Sequence, residues 1–106
     1  MMKTYGVLVV DDSALMRKSI SALIESHPEF YVIGKARNGI DALEKIKTLR
    51  PALVTMDVEM PEMNGIEAVQ HIMEYDPVAV VVIANERARQ EEAMQYGAVD
   101  FLLKKY

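Results

Sequence analysis

Three aspartates come directly after apolar runs, and this pattern could bring their carboxylates close together in the folded chain. Asp11 and Asp12 come directly after the apolar run 7–10, and Asp57 follows the run 53–56. Such runs are typical of buried parallel strands, and the carboxyl ends of these strands form the ligand-binding edge of an open α/β sheet. Three carboxylates meeting there would repel one another unless a cation lay among them. A ligand set made only of oxygen favours a hard divalent cation such as Mg²⁺.

The elements that must position these aspartates alternate between strand and helix patterns. Strands are predicted over 5–10, 30–34, 52–57, 80–83 and 98–103, and helices over 14–26, 39–49, 65–74 and 86–96. Right-handed crossovers would then place helices on both faces of a five-stranded parallel sheet. The last helix is the weakest of the four, because its apolar stripe is thin.

Several helix ends are marked by residues that favour caps. Ser13 and Asn38 are predicted N-caps, and Asn64 with Glu67 three residues later has the pattern of a capping box. Gly97 suits the left-handed residue at the end of the last helix. The apolar face of the first helix is predicted to consist of Met16, Ile20, Leu23 and Ile24.

Length and composition limit the classes of protein. The 106 residues fit a single domain, and 12 basic against 16 acidic residues give a net charge of −4, which argues against a nucleic-acid surface. There are no cysteines, so disulfides and thiolate metal sites are excluded. No apolar stretch approaches the length of a membrane span and no signal peptide is evident. We therefore expect a cytoplasmic protein with neither a nucleic acid nor a membrane as its partner.

Two stretches resemble the receiver domain of two-component response regulators. They are VLVVDDSALMR at 7–17 and MDVEMPEMNGIEA at 56–68. The likeness is closest to the receiver of the chemotaxis protein-glutamate methylesterase; it is strong over 1–78 and looser over 79–106. The resemblance implies one receiver domain over 1–106, with a flavodoxin-like, doubly wound sheet in the strand order 2-1-3-4-5.

The resemblance also assigns roles to individual residues. It implies that Asp57 accepts a phosphoryl group, that Asp11, Asp12 and Asp57 hold Mg²⁺, and that the backbone carbonyl of Glu59 is a further ligand. Lys104 matches the lysine that pairs with the phosphoryl oxygens, although taken alone it could equally be a solvated terminal charge. The implied partners are a histidine kinase as phosphoryl donor and an effector domain or protein as output.

Two further positions match the conformational switch of the family. Phe101 takes the place of the switch aromatic, and Ala84 takes the place of a serine or threonine whose hydroxyl bonds the phosphoryl group. Because alanine has no hydroxyl, we expect phosphorylation with a weak conformational response. Lys105 replaces the family's proline, which predicts a trans bond between residues 104 and 105.

The family's last helix is expected to be missing from this chain. Part of one apolar sheet face would then be bare. Such an exposed apolar patch is expected to be covered, for example by a second copy of the chain in a homodimer. No nucleophile motif of the methylesterase is present, so no esterase activity is expected.

Two other interpretations stay open. The chain could be a degenerate, engineered or chimeric scaffold that keeps the receiver fold but switches poorly. It could also be a small flavodoxin-like enzyme that binds a nucleotide or flavin. That class needs a loop that cradles phosphate after the first strand, whereas Asp11 and Asp12 would repel phosphate without a metal.

Overall fold

The structure, a computed structural model, describes residues 3–104. Its elements in chain order are β1 (Tyr5–Val10), α1 (Ala14–Glu25), β2 (Phe30–Ala36), α2 (Gly39–Leu49), β3 (Leu53–Asp57), α3 (Gly65–Tyr75), β4 (Ala79–Ala84), a 3₁₀ turn (Arg87–Arg89), α4 (Gln90–Gln95) and β5 (Asp100–Leu103). The five strands form one parallel sheet in the order β2-β1-β3-β4-β5, which confirms the predicted fold class. Within residues 3–104, β5 is the last element, and no helix has the length and apolarity to cross a membrane.

The main core lies between the sheet and the helices α2, α3 and α4. Alternate residues of β4 point into it, since Val80 and Val82 are fully buried there. Val81 and Ile83 therefore face the other side of the sheet, where α1 packs on β1 and β2. That second side is less covered toward β5, where the Leu102 side chain is 48% exposed.

The apolar face of α1 differs from the prediction. Leu23 is 72% exposed, whereas Ile20 and Ser21 are the buried residues of the helix. The buried face is thus rotated away from Leu23, and its centre includes a serine. A polar residue at a buried position hides the true face from a pattern of apolar residues alone.

Three elements differ from the prediction by more than a single residue at an end. Strand β2 continues to Ala36 because its register with β1 shifts by one residue: Val7 pairs with Val32, but Leu8 pairs with Gly34. The helix predicted over 86–96 is a 3₁₀ turn followed by a short α4, in which only Ala93 is buried. One buried side chain gives too little burial to hold a longer helix, and β5 begins at residue 100 rather than 98.

The predicted caps are confirmed. The side chains of Ser13, Asn38 and Asn64 each accept a hydrogen bond from a backbone N–H three residues on, at 3.2, 2.8 and 3.0 Å. Glu67 completes the capping box by accepting from the Asn64 N–H at 3.1 Å. Gly97 follows the C-cap of α4 with φ +114°, a backbone conformation that glycine adopts without strain. The caps start α1, α2 and α3 beside the carboxyl edge of the sheet.

Gly65 allows α3 to begin directly against the end of β3. A Cβ at this position would lie 2.0 Å from the carbonyl oxygen of Asp57, so Gly65→Ala must displace backbone. We expect the substitution to lower the free energy of unfolding by about 2 kcal/mol or more in urea titrations. Gly34→Ala is the matched control, because its Cβ would meet side-chain ends and not backbone: Leu49 Cδ1 at 2.6 Å and Leu8 Cδ1 at 3.4 Å. Equal losses in the two variants would contradict this account.

Candidate functional site

The carboxyl edge of the sheet brings the three predicted aspartates together. Strands β1 and β3 are neighbours with Val10 opposite Met56, so the next residues, Asp11 and Asp57, lie side by side. One carboxylate oxygen from each of Asp11, Asp12 and Asp57 lies within 4.8 Å of the others. Asp11 and Asp57 are only 1% and 4% exposed, whereas Asp12 is exposed. Two of the three negative charges are therefore held almost out of water.

Lys104 enters the same cluster from the end of β5. Its backbone N–H donates to the carbonyl of Ala84 at 2.8 Å, which continues the pairing of β4 with β5. Its Nζ donates to Asp57 Oδ1 at 2.9 Å and lies 2.9 Å from Asp11 Oδ2. With a side chain only 5% exposed, Lys104 is a buried cation and not a solvated terminal charge.

Burial and charge shift the pKa values of the cluster. The pKa of Asp57 is raised from 3.8 to about 6, mainly by removal from water; Lys104 opposes the increase, and the negative charges of Asp11 and Asp12 add to it. Burial alone would lower the pKa of Lys104, but its bonds to Asp57 and Asp11 outweigh burial and raise it. Asp57 is therefore mostly ionised at pH 7, and Lys104 stays charged.

The residues present fit a hard divalent cation. Three carboxylates face one ammonium group, which leaves a net negative charge at the edge. Asp11 Oδ2 is buried with the Lys104 ammonium 2.9 Å away, and a carboxylate oxygen with one such contact still has a lone pair for a cation. Glu59 lies two residues beyond Asp57 with an exposed side chain, and the role of its carbonyl stays a prediction.

The two positions matched to the conformational switch are both buried, one in β4 and one in β5. Ala84 is 4% exposed at the end of β4, and Phe101 is 7% exposed where it pairs with Val82. Their roles in switching stay predictions. Lys105 lies outside the described residues, so the predicted trans bond after Lys104 does too.

Sequence analysis missed one residue that supports the site. Arg17 on α1 donates from Nη1 to the carbonyl of Asp11 at 2.7 Å, which braces the loop carrying Asp11 and Asp12. The helical period could have indicated it, because Arg17 follows the N-cap Ser13 by four residues and so lies above it on the same side of α1.

Comparison with known proteins assigns the family. Residues 7–106 match the response regulator receiver domain. The chain belongs to this family. The match begins in β1 and extends through the part of the chain that follows residue 78, so it includes the positions of both Asp57 and Lys104.

Several receivers and their parent proteins are similar to this chain. The protein-glutamate methylesterase/protein-glutamine glutaminase of Geobacillus kaustophilus is 58% identical over 107 aligned positions, which cover 97% of this chain and 31% of that protein. The response regulator domain of Thermotoga maritima CheB superposes with a TM-score of 0.94 at 42% identity, covering 98% of this chain and 81% of that one. CheY of Borrelia burgdorferi, solved as a CheX-CheY-BeF3-Mg complex, gives a TM-score of 0.91 at 31% identity, covering 98% and 81%. The chain thus spans about a third of the curated relatives it matches.

The raised pKa of Asp57 predicts that the metal-free protein becomes less stable as pH rises. Between pH 3.8 and about 6 the folded state holds a proton at Asp57 that the unfolded chain has lost, so stability present below pH 3.8 is lost as pH passes through 6. From about pH 4.5 to 7.5, we expect the wild type to lose roughly 2 kcal/mol of unfolding free energy relative to Asp57→Asn. Urea titrations in EDTA measure this difference, and a difference independent of pH would refute the assignment.

Proposed function

We propose that this chain is the phosphoacceptor of a two-component chemotaxis pathway, taking a phosphoryl group from a histidine kinase onto Asp57. The observation that carries the proposal is the position of Lys104, whose Nζ lies 2.9 Å from both Asp11 and Asp57. A buried ammonium beside an ionised carboxylate is suited to neutralise a group that arrives with several negative oxygens. The family match and the similarity to CheB receivers support this assignment.

The transfer follows from the groups present. An Asp57 oxygen attacks the phosphorus of the donor phosphohistidine, the new O–P bond forms as the N–P bond breaks, and the imidazole leaves with the electron pair. Lys104 stays protonated and holds a phosphoryl oxygen as charge moves. Mg²⁺, when held by Asp11, Asp12, Asp57 and the Glu59 carbonyl, would neutralise further charge on the transferring group.

The partners follow from the same chemistry. We propose a histidine kinase as donor, and a covalently attached or separate effector as the part that responds. The curated relatives are about three times longer than the matched region, so any methylesterase activity would belong to residues outside it. The homodimer predicted from the sequence stays a prediction; the partly exposed sheet face near Leu102 is where it would form.

A receiver-fold scaffold that is phosphorylated but does not switch is the second candidate. Ala84 favours it, because a methyl group stands at the end of β4 where a hydroxyl would reach the phosphoryl group. A hydrogen bond to a charged group contributes about 1.5–3 kcal/mol, comparable to a typical coupling free energy between two sites. Loss of that bond would weaken the response while leaving Asp57 reactive.

Intact-mass spectrometry after treatment with acetyl phosphate tests the proposed function. We expect one phosphoryl adduct of the wild type that requires Mg²⁺, and none in Asp57→Asn, because that amide cannot form the acyl phosphate. Lys104→Met should slow adduct formation by about tenfold or more, since one charged contact to the transferring group is removed. An adduct that persists in Asp57→Asn would disprove the proposal.

Restoring a hydroxyl at residue 84 tests the second candidate. In Ala84→Thr we expect beryllium fluoride with Mg²⁺ to slow amide exchange after β4 by several-fold more than in the wild type, because the new hydroxyl can bond the bound anion. Ala84→Val is the matched control, having the same shape without the hydroxyl. If Val and Thr respond alike, the missing hydroxyl does not limit the response. Hydrogen exchange over residues 85–95, followed by mass spectrometry, measures how far the bound anion slows amide exchange in each variant.

A further inference from the structure

A basic cleft opens beside the aspartate cluster, between the start of α1 and the β2–α2 turn. Its volume is about 610 Å³, and four cationic side chains line it: Arg17, Lys35, Arg37 and Lys45. These are four of the 12 basic residues in a chain whose net charge is −4. Three carboxylates line it too, so the cleft has a small excess of positive charge in an acidic protein, and the phosphoacceptor chemistry does not use it.

The cleft shares a wall with the phosphorylation site. Arg17 donates to the carbonyl of Asp11, and the Asp11 N–H donates to the carbonyl of Ala36 in the cleft at 3.1 Å. On the other side, Glu62 comes from the loop that follows Asp57. A protein that approaches Asp57 closely enough to deliver a phosphoryl group will therefore meet this cleft as well.

Two of the four cations are free to bind a partner. Lys45 is engaged, because its Nζ lies 3.2 Å from Asp41 Oδ2 and also donates to a backbone carbonyl. The side chains of Lys35 and Arg37 are exposed, and none of the ion pairs within residues 3–104 includes them. Arg17 uses one of its five N–H groups on Asp11 and keeps the others.

The type of partner follows from the strength of such contacts. Asp41, Glu44 and Glu62 also line the cleft, and one exposed ion pair contributes about 0–1 kcal/mol, so a single small anion would bind weakly. A polypeptide with several carboxylates can pair with Arg17, Lys35 and Arg37 together, and opposite charges also accelerate the encounter. We infer that this basic cleft binds an acidic segment of the histidine-phosphorylated donor protein. The inference rests on the proposed function and adds a second contact beside Asp57.

Charge reversal at Arg37 tests the inference. We would use a phosphohistidine domain of a chemotaxis kinase that phosphorylates the wild type, and measure transfer rates against receiver concentration. In Arg37→Glu we expect KM to rise at least tenfold with kcat unchanged, and the increase to shrink in high salt. Adding Lys35→Glu should raise KM further. Lys47→Glu is the matched control. Like Arg37, Lys47 is exposed, but it lies on α2 outside the cleft, so the KM of this variant should change less than twofold.

Phosphorylation by acetyl phosphate separates the inference from the proposed function. We expect Arg37→Glu and the wild type to react with this small donor at rates within twofold. Equal KM values for Arg37→Glu and Lys47→Glu with the protein donor would overturn the inference and leave the proposed function intact. A tenfold slower reaction of Arg37→Glu with acetyl phosphate would also overturn it, since the cleft would then act on Asp57 or on small anions. No acetyl phosphate adduct in the wild type would instead refute the proposed function, and with it the inference.

Discussion

The buried ion pair between one ammonium and two carboxylates is the constraint on which the rest of the structure depends. Lys104 contacts both Asp11 and Asp57, and each of the three side chains is at most 5% exposed. Removing Lys104 would leave two carboxylates out of water with no compensating charge, which is among the costliest defects a core can have. Because the three residues lie at the carboxyl ends of β1, β3 and β5, this contact is made only when those strands occupy their places in the parallel sheet. The fold and the candidate site thus specify each other.

The sequence predicts the features of this arrangement that depend on residues near one another in the chain better than those that join distant residues. The caps at Ser13, Asn38 and Asn64 are local patterns, and all three are observed. The convergence of the aspartates also follows from local patterns, because parallel strands end at one edge. The contact of Lys104 with Asp57 joins residues 47 apart and depends on the register of β5, so only the family resemblance indicated it. The register shift in β2 left no signal that a period-two pattern could detect.

Binding of the phosphoryl group and the predicted conformational response would depend on different parts of the carboxyl edge of the sheet. In the proposed function the carboxylates and the ammonium would provide the charge for phosphoryl transfer, whereas the predicted response would depend on the side chain that β4 presents at Ala84. These parts are mechanically connected, since the backbone of Lys104 bonds to the carbonyl of Ala84 at 2.8 Å. A movement of the end of β4 would therefore also move the cation that holds the phosphoryl group. Alanine at residue 84 cannot form the predicted hydroxyl bond to a phosphoryl group, whereas this backbone connection is present.

The distribution of charge gives the carboxyl edge two sides with opposite preferences. The aspartate cluster is a candidate site for a divalent cation, and the adjacent cleft includes Lys35 and Arg37, which form no ion pair within residues 3–104. A uniformly acidic edge would repel an acidic donor protein, and the repulsion would act at the step where two macromolecules must align. In the inferred docking, Lys35 and Arg37 would give such a donor opposite charges beside the aspartates, while Arg17 holds the loop of Asp11 by a hydrogen bond to its carbonyl. Because Arg17 touches both regions, its removal would disturb both, which is why Arg37 is the residue that separates docking from chemistry.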